Sequence, residues 1–486
     1  MSDVIKLTKH NEVYYKVEAD KGIIREIHEL FSFKVPNASF IPSVRNKMWD
    51  GVIRLFNYDH KLLYIGLYDD LLEYTKVRGY SVIVSSASHA IIQVPETLVN
   101  PFFKKLDLKH EPRDYQKKAF IHCLSHKRAV LLSPTASGKS LIIYLLARFF
   151  TLSDKKTLVV VPTTSLVHQM ASDFVDYNKN KELAIHKIMA GSTKDILDDM
   201  NIYVSTWQSI YKMPESWFNN FNCIIGDECH LFKAKSLKTL LEKCTEVKYR
   251  FGFTGTLDGS LTNEMVLKGL FGPVEKVTTT SELIDKGQLA NLKIQSIILN
   301  HKKEYAKEIS KKSYQEEIDY LVSSKERNDF IVKLATKLKG NTLILFRYVD
   351  KHGIPLYNDI KEKTEYPTYF IAGDIDSNER EKIRKEMDAG ENSIMVASVG
   401  TMSTGVNIRN INNIIFAAPT KSKVTSLQSI GRGLRLGDNK NHCTVYDIAD
   451  NLKHGNKVNH TLKHFMERVK IYDSEKLKYV IQEVNL

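Results

Sequence analysis

The octapeptide SPTASGKS, Ser133 to Ser140, lies between the apolar run RAVLL and the helical pattern LIIYLLARFF. Strand, tight loop and helix in that order make a phosphate-binding turn. Such a turn belongs at the carboxyl end of a strand in a parallel α/β sheet. Backbone N–H groups of Thr135, Ala136, Ser137 and Gly138, with those of the helix N-terminus, would cradle a polyphosphate. Lys139 would reach the outer phosphates, and the Ser140 hydroxyl would bind Mg²⁺. The strict consensus begins with Gly, where this chain has Ser133. An ordinary capped turn can carry a similar string, so a second feature must decide.

That feature is NCIIGDECH, which places Asp227 and Glu228 at the tip of an apolar run. Two adjacent acids at the end of a buried strand are costly unless they serve a cation or a reaction. Asp227 suits Mg²⁺, and Glu228 suits a general base that orients water. His230 reads as a coupling residue rather than a metal ligand. The alternative is a helix N-cap with a favourable first-turn acid. Upstream, EPRDYQKKAF offers Gln116, whose amide can both donate to and accept from an adenine edge, with Arg113 just before it, although in isolation the segment reads as an ordinary helix start after Pro112.

The surroundings fit the same architecture. RAVLLSP, KTLVVVP, NIYVST, FNCIIGDE and YRFGFTG are short apolar runs ending in small or polar residues, as parallel strands buried on both faces read. A second series follows, TLILFRY, TYFIAGD, SIMVASV, NIIFAAP and CTVYDIA. Tyr305 to Lys339 is charged and helical in pattern, and SNEREKIRKEMDAG reads as a helix. The stretch from Asp258 to about Leu289 reads as a connector or an outer helix pair. Before all this, residues 1–95 mix short strands with a helix carrying Ile23, Ile24, Ile27, Leu30 and Phe31. VIRLF and KLLYIGLY flank a hairpin loop, and YSVIV and HAIIQV suggest strands. Pro95, Pro101 and Pro112 should break regular structure in the connector 96–111.

Composition bounds the class. Of 486 residues, 43% are hydrophobic and 26% charged, a globular balance that excludes disordered, collagen-like and coiled-coil chains. Lys and Arg outnumber Asp and Glu by 70 to 57, a net +13 that favours a polyanionic partner. The five cysteines form no CxxC pair, so neither a disulfide framework nor a structural zinc site is expected. No apolar run is long enough to span a bilayer, and the N-terminus lacks a signal-peptide h-region. A soluble intracellular protein with no membrane contact is expected, and a monomer, since no heptad stands out.

Phosphate loop, DECH, FTGT and the later QSIGRGLR occur in an order that resembles superfamily 2 helicases and translocases, across roughly residues 110 to 450. The resemblance extends over the whole chain to a phage recombination helicase of that superfamily. It implies an α/β protein of two tandem RecA-like parallel-sheet domains, 112–280 and 281–450, preceded by a small α+β domain at 1–95. Residues 451–486 read as a C-terminal helical extension, mixing helix-like basic runs with a last strand-like piece. By resemblance, Gln116 reads adenine, Lys139 and Ser140 are the phosphate-loop pair, and Asp227, Glu228 and His230 form the acid box. Cys229 stands where many members have Ala. Thr254 and Thr256 couple hydrolysis to movement, as does Gln428. Gly405, in STGVNI, approaches the nucleotide. Gln428, Arg432 and Arg435 recur at helical spacing and share one face. The two arginines would neutralise charge on the γ-phosphate.

Nucleic-acid contacts are expected from Thr163, Thr164, Gly191 and Thr206 in the first domain and Arg347, Gly373 and Thr401 in the second, as phosphate contacts without sequence reading. In PSVRNKMWDGVIRLF, Arg45, Lys47, Trp49 and Arg54 interleave bases with an aromatic, as a backbone platform would. A tryptophan in such a place is more often a core anchor, and that reading of Trp49 is the favoured one.

The expected mechanism binds ATP with Mg²⁺ between Lys139, Ser140 and Asp227 on one side and Arg432 and Arg435 on the other, and hydrolysis becomes directed motion. The resemblance implies 3′–5′ polarity and branched double-stranded DNA (forks, Holliday junctions), single-stranded DNA and RNA–DNA hybrids as substrates. It further implies recombination or single-strand-binding proteins as partners, and the cytoplasm of an infected bacterium as the setting. Rival readings are a translocase or annealing protein that does not separate strands, and a restriction-enzyme motor. A PD…ExK nuclease constellation is not apparent.

Overall fold

This computed structural model describes residues 3–85, 91–179, 182–233, 235–373, 375–403, 408, 410–418, 430–431, 434 and 442–486. The chain divides into two units, 1–133 with 138–277, and 134–137 with 278–486.

In the first unit the apolar runs become strands. β8 (Arg128–Leu132), β9 (Thr157–Val161), β10 (Ile185–Ile188), β11 (Ile202–Thr206), β12 (Cys223–Asp227), β13 (Tyr249–Thr254) and β14 (Val274–Lys276) form one sheet. Its order is β10-β11-β9-β12-β13-β8-β14, and every pairing is parallel. Every residue of β9, β11 and β12 is buried, because helices cover both faces. The helix Lys139–Thr151 buries Leu141 through Ala147 and Phe150. Each large apolar side chain so placed contributes about 1.5–3 kcal/mol relative to exposure.

The N-terminal module contains β1 (Val4–Lys9), β2 (Tyr14–Glu18), β3 (Ser32–Lys34), β4 (Val52–Arg54), β5 (Phe56–Asn57), β6 (Leu62–Tyr64) and β7 (Ser81–Val84). Five of these form a mixed sheet, β5-β6-β2-β1-β7, and β3 pairs with β4 as a separate ribbon. The amphipathic helix Lys21–Leu30 buries Ile23, Ile24 and Ile27, and Asp20 caps it.

This module is welded to the first sheet domain. Its core residues Ile5, Leu7, Tyr15 and Leu67 belong to one apolar cluster with Leu240, Leu270 and Phe271. A Cβ added at Gly66 would lie 1.9 Å from the Lys268 carbonyl oxygen, so the two backbones touch. Polar contacts ring the seam. Arg128 donates to Glu12 at 3.0 Å, Lys268 pairs with Asp70 at 2.6 Å, and the Tyr14 hydroxyl donates to Glu242 at 3.0 Å.

In the second unit, β15 (Asn291–Asn300), β16 (Thr342–Phe346), β17 (Thr368–Ile371), β18 (Ile394–Ser398), β19 (Asn413–Phe416), β20 (His442–Asn451) and β21 (Tyr479–Asn485) form another parallel sheet. Its order is β17-β18-β16-β19-β20-β15-β21. The fold is thus α/β, with two seven-stranded parallel sheets after a small α+β module.

Several expectations need correction. The connector is not free of regular structure: Glu96–Leu106 is a helix with Pro101 inside it. An interior proline costs about 3 kcal/mol. Here Val99, Phe103 and Leu106 are buried on one face, with Phe102 stacked on Phe120 at 5.3 Å, and that packing offsets the loss. Of the expected strand HAIIQV, residues 91–94 are irregular and the rest lies outside the described residues. Within VIRLF, Val52–Arg54 pair with β3, while the expected hairpin forms in shortened form, Phe56 and Asn57 against Leu63 and Leu62. Of the two readings of 258–289 the helix pair holds, as Leu261–Phe271 and Thr280–Asp285, but the first helix is packed core and not an outer element. The final segment is more than a helical extension, since β21 runs parallel to β15 as an edge strand of the second sheet. Its helix His460–Ser474 is tied down by the buried Glu317, which accepts from the backbone N–H groups of His460 and Thr461.

Candidate nucleotide site

The loop after β8 turns into the helix Lys139–Thr151, so Lys139 and Ser140 begin the first helical turn. Beside β8 in the sheet is β13, and beyond it β12, so the carboxyl ends of these strands lie together. The phosphate-loop lysine and the acid box therefore meet. Lys139 Nζ lies 3.9 Å from Glu228 and 3.4 Å from the Ser133 carbonyl. The loop also closes on itself, with the Ser137 hydroxyl donating to the Pro134 carbonyl at 2.6 Å.

Asp227 ends β12 and is buried. One of its oxygens accepts from the Glu228 N–H at 3.0 Å. Burial, and then the neighbouring Glu228 carboxylate, push its pKa up to about 6 against the pull of Lys139. Glu228 has φ 49°, the left-handed region that costs a non-glycine residue about 1–3 kcal/mol. That turn brings its carboxylate back toward Lys139 and His230, which lies 3.4 Å away. His230 Nδ1 is 3.0 Å from the Thr254 hydroxyl, and that hydroxyl donates to the Thr256 carbonyl at 3.0 Å. A relay thus runs from the acid box to the FTGT segment.

Cys229 is buried, and a Cβ at Gly252 would come within 3.0 Å of its Cβ and Sγ. Position 229 must be small because β13 passes directly beneath it. All five cysteines are free thiols.

Gln116 is buried, accepts from the Arg113 N–H at 2.9 Å and donates to the Gly138 carbonyl at 3.3 Å. It ties the start of its helix to the phosphate loop. Arg113 donates to the Tyr115 hydroxyl at 3.1 Å. One neighbour was not singled out from the sequence: the Tyr177 hydroxyl lies 2.7 Å from the Ser140 hydroxyl. Tyr177 ends the helix Thr164–Tyr177, and nothing local in the sequence links it to residue 140.

The donor set fits a hard divalent cation, which takes hydroxyl and carboxylate oxygens. Ser140 and Asp227 supply both, and the raised Asp227 pKa marks a carboxylate whose charge a cation would favour. Among the described residues no three His, Cys, Asp or Glu side chains could hold a metal ion together, so phosphate oxygens would have to complete the shell.

The expected nucleic-acid residues divide. Thr163 caps its helix through Leu166 N–H, Thr164 and Gly191 are exposed, and Gly373 is exposed at the end of β17. Arg347 is exposed and lies over the Tyr348 ring at 5.5 Å. Thr206 and Thr401 do not present their hydroxyls to solvent. Both are buried and each hydroxyl meets a serine hydroxyl, Ser209 at 2.9 Å and Ser398 at 2.6 Å, with Ser398 also accepting from the Thr401 N–H at 3.2 Å. Trp49 is half-buried rather than a core residue, and its indole N–H donates to the Val52 carbonyl at 3.1 Å. Gly405, Gln428, Arg432 and Arg435 lie outside the described residues.

Comparison with known proteins agrees with this layout. Residues 109–259 match the family described as type III restriction enzyme, res subunit, and residues 326–437 the helicase conserved C-terminal domain. Residues 4–85 match the N-terminal family of the DNA helicase UvsW. The ATP-dependent DNA helicase uvsW of Enterobacteria phage T4 is 34% identical over 99% of this chain and 100% of its own length. A crystal structure of T4 UvsW superposes with TM-score 0.53 and 33% identity, covering all of both chains. The DNA 3′-5′ translocase XPB2 of Sulfurisphaera tokodaii is 25% identical over 71% of this chain and 84% of its own.

Proposed function

The chain belongs to the UvsW family of superfamily 2 ATP-dependent DNA helicases, and from that premise we propose that it separates strands of branched DNA and of RNA–DNA hybrids with 3′–5′ polarity. It is an ATP-hydrolysing helicase of this family. The observation that carries the reading is the convergence of Lys139, Asp227, Glu228, His230 and Thr254 at the ends of three neighbouring strands. Support for polarity comes from the archaeal relative named as a 3′-5′ translocase.

Roles follow from chemistry. Lys139 binds the β- and γ-phosphates, with N–H groups of Thr135 to Gly138 around them. Mg²⁺, held by Ser140 and Asp227, neutralises phosphate charge when bound. Glu228 orients the attacking water, and its carboxylate takes the proton. His230 passes the state of the acid box to Thr254 and Thr256. Gln116 and Arg113 select adenine. By resemblance Gly405, Gln428, Arg432 and Arg435 complete the site, the arginines on the γ-phosphate. Thr163, Thr164, Gly191, Arg347 and Gly373 contact the strand backbone. We assign 1–95 to substrate recognition, 112–280 and 281–450 to the motor. Among the described residues no helix is long and apolar enough to cross a membrane. A monomer in the cytoplasm of an infected bacterium, working beside recombination or single-strand-binding proteins, fits this reading.

The deciding experiment follows strand release and ATP hydrolysis together, on forked DNA and on an R-loop, with the wild-type chain and Lys139→Ala. Release that needs both ATP and Lys139 is the expected result. Hydrolysis stimulated by nucleic acid without release would move the function to translocation or remodelling, the second reading, which the archaeal relative favours.

A further inference from the structure

The ribbon β3–β4 carries a loop, residues 35–51, that is built rather than slack. Val35 N–H donates to the Gly51 carbonyl at 2.9 Å and closes its base. A 3-10 turn, Ala38–Phe40, and a helical turn, Pro42–Arg45, fill it. Met48 and Trp49 both donate from their backbone to the Ser43 carbonyl, at 2.8 and 3.1 Å. Ala38 is buried within it, and the Trp49 indole is pinned to Val52.

This ordered loop presents its largest apolar side chains to water. Phe40 is 79% exposed and Met48 81%. Around them Lys34, Arg45, Lys47 and Arg54 are exposed, and the one acid, Asp50, is taken by Arg54. Among the described residues Arg45 and Lys47 form no ion pair. An apolar tip flanked by free cations matches a duplex, whose phosphates attract the cations while the bases accept an apolar side chain between them. A protein groove would reward the apolar pair but not the cations around it.

We propose that Phe40 and Met48 form a wedge that enters the base stack of a nucleic-acid duplex at a branch point, with Arg45 and Lys47 on the flanking phosphates. The proposal deepens the strand-separating reading and rests on it. The weld described above supplies the mechanics. The module shares an apolar core with the first motor sheet and touches the helix Leu261–Phe271 backbone to backbone. A strand drawn along that sheet domain would therefore be pulled past a tip that does not yield. Unstacking one step costs a few kcal/mol, which a fixed apolar tip offsets by covering the exposed base faces.

The test uses the full chain with Phe40→Ala and Met48→Ala combined, and Phe40→Trp as the conservative variant. Both side chains lie in solvent, so the core is untouched. A fork carries 2-aminopurine at its junction, and its fluorescence is read on binding without ATP. Strand release and ATP turnover on plain single strands are read separately. The wild type and Phe40→Trp should brighten the junction probe, and the double variant should lose most of that signal. Fork separation by the double variant should fall about tenfold while turnover on single strands stays within about twofold. Equal junction signal and equal separation rates would overturn the wedge, and would leave the tip as a protein-docking surface. If the wild type separates no fork at all, the helicase reading fails, and the fluorescence arm still decides whether the tip unstacks bases.

Discussion

Both sheets carry two acids at the carboxyl end of a buried strand, and the protein treats them in opposite ways. In the first sheet Asp227 and Glu228 end β12. Among the described residues Asp227 forms no ion pair, and burial leaves its pKa raised to about 6. In the second sheet Asp447 and Asp450 lie in β20, fully buried. Arg468 and the Tyr472 hydroxyl meet Asp447 at 2.7 and 2.8 Å. Arg327 and His301 meet Asp450 at 2.9 and 3.0 Å. Burial alone would raise Asp450, but the Arg327 guanidinium and then the hydrogen bond from His301 hold its pKa below the usual carboxylate range. A buried acid that brings its own cation is architecture. One left without a cation is a site that expects one from outside.

Breaking a complete pair should have the largest effect. Arg327→Met leaves Asp450 buried and strips the Ala417 carbonyl of its Arg327 donor, so the full chain should lose about 3–5 kcal/mol. Thermal melting reads it. Replacing both partners, Arg327→Met with Asp450→Leu, should recover most of that loss. No recovery would mean that the pair positions the end of β19 rather than merely neutralising itself.

The incomplete set should respond in the opposite sense. Glu228→Gln should lower ATP turnover at least about a hundredfold and leave the melting temperature unmoved. Asp227→Asn should abolish turnover while melting at the same temperature or higher, since it removes a buried charge that Lys139 balances only in part. A large drop in melting temperature for either variant would erase the distinction between the two sheets.

This contrast was half legible in the sequence. NCIIGDECH and CTVYDIADN both place acids after an apolar run, and only the phosphate loop upstream marks the first as chemical. The partners of the second come from positions 327 and 468, which no local pattern links to β20. The apolar strands were readable because parallel strands buried on both faces are continuous runs. The short module strands were less so, and β21 was legible as a strand-like piece but not in its place, since nothing local links it to β15. Pro101 misled because a single-residue rule ignores the aromatic packing that holds its helix together. Tyr177 escaped because its contact with Ser140 joins two helices.

Acid titration sharpens the comparison further, at smaller amplitude. Asp450 has a folded pKa below its unfolded value of about 3.9. Its contribution is therefore complete above that unfolded value and is lost as pH falls through the folded one. Melting followed from pH 6 down to about pH 2 should show the wild type losing stability below about pH 4. The variant Arg327→Met with Asp450→Leu should be flatter there. Identical acid limbs would mean that other carboxylates dominate acid unfolding.

The smallest effect is expected at the seam between the N-terminal module and the first sheet, where Glu12 is an intermediate case. It is partly buried and paired with both Lys9 and Arg128. Burial works to raise its pKa, while Lys9 and then Arg128 outweigh that and hold it low. Arg128 is itself pulled down to about 10 by its burial. Glu12→Gln keeps the shape and the Arg128 contact to the residue 12 carbonyl, so only the charge is lost, at about 1–2 kcal/mol. That loss should appear at neutral pH, start to shrink below the unfolded glutamate value of about 4.3, and vanish only below the lowered folded pKa, where the wild-type carboxylate is protonated too. It should also shrink less with added salt than an exposed pair would, because the seam is half closed to ions. A cost that persists unchanged into acid would show that residue 12 matters for its shape at the junction and that its charge contributes nothing.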